Sequence, residues 1–120
     1  MAAQPRIELL WWPGCPSHDR ALADLRDTVR ALELDPDAVQ VVRIDTEQDA
    51  ARERFAGSPT IRVDGEDVLP PSAGEPTGLT CRLYTLRDGR ASPTPDPADL
   101  RAALAAAVAK SDTREEVTDA

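Results

Sequence analysis

The stretch Trp11-Trp12-Pro13-Gly14-Cys15-Pro16-Ser17-His18 places one of the chain's two cysteines and its only histidine three positions apart. Thiolate is the reactive and metal-ligating form of cysteine. Pro16 is the residue best tolerated at the first position of a helix, because its missing N–H would be an orphan there anyway. Cys15 is therefore expected at a helix N-cap, where unpaired backbone N–H groups and the macrodipole lower a thiol's pKa below the free value of ~8.5. His18, three places on, falls on the same helix face and is expected to pair with that thiolate. Trp12, beside the Pro13-Gly14 turn, is expected to wall a binding groove, and Trp11 to join the core. Cys81 is the only other thiol.

A chain of 120 residues suits one domain with enough core to fold without staples or a structural metal. Fourteen basic against 22 acidic side chains give a net charge of -8, which repels phosphate backbones and anionic lipid and argues against nucleic acid and membrane as partners. The N-terminus has neither a basic leader nor an apolar run long enough to span a bilayer, so a cytoplasmic location is expected. In a reducing cytosol both cysteines are thiols by default, and a bond between them would be transient or regulatory.

The surrounding elements must position these groups. Residues 6–12 alternate Ile7, Leu9 and Trp11 with Leu10 and Trp12, the pattern of a central strand covered on both faces. Leu22, Leu25, Val29 and Leu32 then recur at helical spacing, to an end near residues 32–37. Residues 38–45 are rich in β-branched side chains and predict a second strand. Thr46 is placed to cap a short helix through Phe55, closed by Gly57. In residues 58–66 Ile61 and Val63 alternate with polar neighbours, and Asp64-Gly65 marks a turn. Residues 70–80 lack periodicity and predict a long loop of the kind that is often functional. Residues 81–87 predict a further strand, and Asp96-Pro97 opens a last helix lined by Leu100, Leu104 and Val108. The domain is expected to span residues 1–110, with 111–120 as a disordered acidic tail.

This order, with a cysteine at the first helix and Ser58-Pro59-Thr60 ahead of the third strand, resembles the thioredoxin fold over residues 5–110. The resemblance implies an α/β domain with a four-stranded mixed central sheet flanked by three helices. It also implies that Ser58-Pro59-Thr60 is a cis-proline loop, abutting Cys15 and offering a backbone edge for substrate pairing. The thioredoxin motif is Cys-x-x-Cys; here His18 replaces the second cysteine. In a plain sheet of that family Cys81 would be buried packing, whereas a 70–80 loop that crosses back would deliver it beside Cys15.

The segments GSPTIRVDGEDV and GLTCRLY are similar to small thioredoxin-like proteins grouped with alkylmercury lyase. That enzyme uses a cysteine, an acid three places on and a second, downstream cysteine; at those relative positions this chain has Cys15, His18 in place of the acid, and Cys81. Three functions follow as expectations. In the first, Cys15 attacks a disulfide or electrophile of a small molecule or protein partner and Cys81 resolves, with no cofactor required. In the second, Cys15 and Cys81 hold a soft thiophilic ion such as Hg(II), for sequestration or organomercurial cleavage. The third is a non-catalytic interaction module.

Overall fold

A computed structural model of the chain describes residues 4–71 and 74–118, with side chains described as far as Ser111. Strand β1 (Ile7–Trp11) is central, as its two-sided hydrophobic pattern requires: it pairs in parallel with β2 (Gln40–Arg43) and antiparallel with β3 (Thr60–Val63). A two-residue turn joins β3 to β4 (Glu66–Asp67), with Asp64 at φ 51° and Gly65 at φ 85°. Positive φ at both positions suits the right-handed twist of a tight hairpin. The sheet is thus four-stranded and mixed, in the order β2-β1-β3-β4.

Three α-helices flank it: α1 (His18–Ala31), α2 (Glu47–Arg52) and α3 (Pro97–Thr118). Ile7 and Leu9 point into a cluster with Leu25 and Val29 of α1 and Leu100 and Leu104 of α3. Leu10 points to the opposite face and packs with Ile44, Ala50 of α2 and Phe55. The alternation of β1 therefore feeds two hydrophobic layers, and the second lies beneath α2. Among the described residues no helix is long and apolar enough to cross a membrane.

Two expectations need correction. The segment 81–87 adds no strand to the sheet; its β5 (Tyr84–Thr85) pairs with β6 (Ala91–Ser92) in a separate ribbon, while β4 takes the fourth place. The immediate Asp64-Gly65 reversal seats β4 on the free edge of β3 before the later segment can reach it. Helix α2 stops at Arg52, and Arg54 turns into the left-handed region at φ 54°, so Gly57 does not close it. Gly57 instead makes room for a neighbouring segment: at φ 141°, a Cβ there would stand 3.1 Å from Arg82 Cβ and 3.2 Å from Arg82 backbone atoms. Helix α3 runs on to Thr118, with no proline or glycine after Pro97 to stop it.

The close approach at Gly57 belongs to a strap, residues 74–82, that returns across the end of the sheet. Gly78 N–H donates to the Phe55 carbonyl at 3.0 Å, and Leu79 N–H to Glu47 Oε1 at 3.3 Å. Ser58 N–H donates to the Thr80 carbonyl at 2.9 Å, and Arg82 N–H to the Ser58 carbonyl at 2.8 Å. The Arg82 side chain, 7% exposed, anchors the end of the strap: Nη1 donates to Asp67 Oδ2 at 2.8 Å, and Nη2 donates to the Leu69 carbonyl. The guanidinium also lies over the Tyr84 ring, 4.7 Å from its centroid. Burial pushes the Asp67 carboxyl above its ordinary pKa, against the pull of Arg82, so the carboxylate depends on that cation.

Arg82→Met should accordingly cost about 3–5 kcal/mol in urea unfolding, the usual penalty for stranding one partner of a buried ion pair. The double variant Arg82→Met/Asp67→Leu should recover at least half of the loss. A single-variant cost below about 1 kcal/mol, the range of exposed pairs, would contradict a buried anchor.

Candidate functional site

Strand β1 runs directly into the reactive corner. After Trp12 the Pro13-Gly14 turn brings Cys15 N–H back to the Trp12 carbonyl at 3.0 Å. Helix α1 begins only at His18, with Ser17 as its N-cap. Cys15 therefore precedes the helix instead of capping it. The tight turn sets its backbone, and its carbonyl accepts from His18 Nδ1 at 2.9 Å, a side-chain donor where a helix would use an N–H.

His18 is turned away from the thiol. Its ring stacks on Trp11 with centroids 4.3 Å apart, and Nε2 lies 3.2 Å from Asp19 Oδ1. The expected pairing of His18 with the Cys15 thiolate is not formed; the imidazole braces the corner through the Cys15 carbonyl. Trp11 is half-buried between His18 and Arg43, whose guanidinium carbon lies 5.6 Å from the centroid of a Trp11 ring. Trp12 covers Gly14, where a Cβ would meet the indole at 2.4 Å, and packs on the Leu10–Phe55 cluster. Trp12, half-buried, covers the second core layer.

Cys15 itself is 0% exposed. Its Sγ is 3.0 Å from Ser17 Oγ and donates to the Ser58 carbonyl at 3.5 Å. Ser58 Oγ, equally buried, has no hydrogen-bond partner, which leaves a hydroxyl free to donate to a charge. Burial pushes the Cys15 thiol up, but the Ser17 hydroxyl and N–H and the neighbouring Cys81 thiol outweigh it. The net result is a pKa below the ordinary thiol value. Ser17, which helical spacing does not single out, takes the activating part expected of His18; a hydroxyl two residues after a turn cysteine is the signal for it in the sequence.

Cys81 arrives on the strap. It forms an isolated parallel bridge with Ser58, the residue whose carbonyl Cys15 contacts, and it is exposed. Cys15 and Cys81 thus meet at Ser58, and the neighbouring Cys81 thiol, as a donor, favours Cys15 as thiolate. Proximity to Cys15, burial and repulsion from its charge push Cys81 above the ordinary value. The first proton therefore leaves from Cys15 and the second is held by the pair. Of the two placements open for Cys81, buried packing or delivery by the loop, the structure adopts the second.

Ser58-Pro59-Thr60 was expected to offer a backbone edge to substrate. The Ser58–Pro59 peptide is cis, and all three residues are buried. The edge is already filled, because both Ser58 backbone bonds go to Thr80 and Arg82 of the strap. Thr60 Oγ1 donates to the Gly57 carbonyl at 2.7 Å, and Tyr84 Oη donates to the Pro59 carbonyl at 2.5 Å. These residues form the floor under the strap. The open surface lies on its outer side, a groove of about 600 Å³ lined by Pro70, Pro71, Cys81, Leu83, Tyr84 and Pro95 among others. Cys81 is the one thiol in that lining.

Comparison with protein-family models, with curated proteins and with solved structures finds no match to this chain. The fold is that of an α/β protein in which two free cysteines, one buried and one exposed, meet at Ser58.

The thiolate absorbance of a Cys81→Ser variant, followed against pH, should titrate below the ~8.5 of a free cysteine. Adding Ser17→Ala should move the midpoint up, whereas adding His18→Ala should leave it nearly in place. A His18→Ala shift as large as that of Ser17→Ala would contradict the assignment of the activating group.

Proposed function

We propose that this protein is a thioredoxin-like thiol–disulfide protein whose redox centre is the Cys15/Cys81 pair. The observation that carries the reading is the meeting of both cysteines at Ser58, whose carbonyl takes the Cys15 thiol at 3.5 Å and whose backbone bridges to Cys81, with the Cys15 thiol displaced down in pKa and the Cys81 thiol up. A low-pKa thiol beside a higher one is the arrangement in which a disulfide can open in a defined direction. The strand order β2-β1-β3-β4, the position of Cys15 ahead of α1 and the Ser58-Pro59 loop against its sulfur support the thioredoxin-like likeness. The substrates are thiols or disulfides, borne by a small molecule or a protein, in a reducing compartment such as the cytoplasm.

Adjacent thiols also favour a second reading, capture of a soft thiophilic ion such as Hg(II) as cargo. Two thiolates suit such an ion in near-linear coordination. Among the described residues no three Cys, His, Asp or Glu side chains converge on a common point, so the clamp would rest on the two sulfurs. Cleavage of a carbon–mercury bond needs a proton donor at the sulfur pair as well, and the His18 ring bonds elsewhere. Sequestration is the better-supported form of this reading.

Mild oxidation with diamide should give a monomer lighter by two hydrogens, with Cys15 and Cys81 joined in one peptide map. Chain entropy of so long a closed loop should stabilise the oxidised form by about 4 kcal/mol. Intermolecular dimers alone would count against the pair. With reduced protein, one Hg(II) per monomer should bind with proton release, and headspace gas chromatography with phenylmercury should detect no benzene above a thiol-only control. Benzene release abolished in Cys15→Ser would restore the lyase.

A further inference from the structure

The two sulfurs differ in access as much as in acidity. Cys15 is fully enclosed, with Ser17, Ser58 and the strap around its Sγ. Cys81 is exposed and lines the groove of about 600 Å³. A thiolate attacks a disulfide from behind one sulfur and expels the other, so the choice of sulfur follows from access, and the rate from the acidity of the leaving thiol. In a Cys15–Cys81 bond only the Cys81 side opens to solvent. The group then displaced is the Cys15 sulfur, which comes to rest 3.0 Å from the Ser17 hydroxyl.

We propose that Cys81, and not Cys15, is the sulfur that carries the mixed disulfide with substrate, and that buried Cys15 serves as the internal leaving group. This deepens the redox reading above and rests on it. A substrate thiolate adds to Cys81 Sγ, the sulfur–sulfur bond breaks, and its electron pair leaves on Cys15. The protein then holds a Cys81–substrate disulfide and a Cys15 thiolate that accepts from the Ser17 hydroxyl. A second substrate thiolate attacks the substrate sulfur of that mixed disulfide and releases Cys81. In sum, two thiols become one disulfide while the protein disulfide becomes a dithiol. The same steps in reverse, with a small-molecule disulfide as oxidant, regenerate the bond. This polarity inverts the roles expected from the sequence, in which Cys15 meets the substrate and Cys81 resolves.

The groove adds a preference. Glu75, Asp96 and Asp99 are its acidic lining; Asp99 is paired with Arg87 at 2.7 Å, as Arg82, the one basic residue of the lining, is with Asp67, which leaves the charges of Glu75 and Asp96 to face the groove. An amine-bearing thiol should therefore react faster than a carboxylate-bearing one of similar acidity.

The test uses the full-length oxidised protein. Diamide-treated protein is mixed with excess cysteamine, quenched with acid within the first turnover, and unfolded; free thiols are alkylated and the cysteamine adduct is located by peptide mass spectrometry. The expected result is an adduct on the Cys81 peptide, with Cys15 alkylated, in at least about tenfold excess over the reverse pattern. An adduct mainly on Cys15, from protein shown to have held the intramolecular bond, would overturn this polarity and leave the redox pair standing. Failure to form the intramolecular bond at all would overturn the pair and the polarity with it.

Discussion

The buried ion pair between Arg82 and Asp67 is the contact on which the site depends. Apart from the Arg82 side chain, the strap is held by backbone bonds at Phe55 and Ser58, by the Glu47 side chain and by the packing of Leu79 on the Leu10–Phe55 cluster. With the ion pair, the residue that follows Cys81 is fixed to β4, the edge strand of the sheet, by a charge-assisted bond, and to the Leu69 carbonyl by a second donor. The guanidinium fork suits this double attachment, because its donors are rigid and planar. A buried pair of this kind adds little to stability compared with apolar packing, but it rejects alternative placements that leave either charge stranded. The position of one thiol relative to another depends on such selectivity.

Once the strap is fixed, the chemistry of the corner follows from short contacts. Cys15 is deeply enclosed, which by itself opposes ionisation. Hydroxyl, amide and thiol donors reverse that tendency, so an enclosed thiol is the acidic one and an open thiol the reluctant one. The more common pattern pairs reactivity with exposure. Here the two properties are divided between two residues, and a bond between them would let the open sulfur meet a partner while the acidic one departs.

The central strand, the first two helices and the second strand are legible in the sequence because each carries a strong local signal, as the periods of Ile7/Leu9 and Leu22/Leu25/Val29 do. The Asp64-Gly65 turn is legible from its dipeptide, but its consequence is not: a tight hairpin makes β4 from two polar residues that carry no strand signal. The segment 81–87 carries that signal and pairs elsewhere, since its place in the sheet is already taken. Cys15 is legible as a special thiol, whereas the choice between His18 and Ser17 turns on one side-chain rotation. An i+3 spacing permits a contact without requiring it, and stacking on Trp11 decides this one. Arg82 reads as a polar residue in a strand, and nothing in one dimension pairs it with Asp67.

The equilibrium constant for closing the Cys15–Cys81 bond in glutathione redox buffers, measured on the parent and on Arg82→Met under conditions where both are folded, tests the account most directly. If the ion pair holds the two sulfurs together, the effective concentration of the pair should fall at least about tenfold in the variant, equivalent to about 1.4 kcal/mol. An unchanged constant in a folded Arg82→Met protein would show that the strap finds Cys15 without its anchor, and would contradict the account.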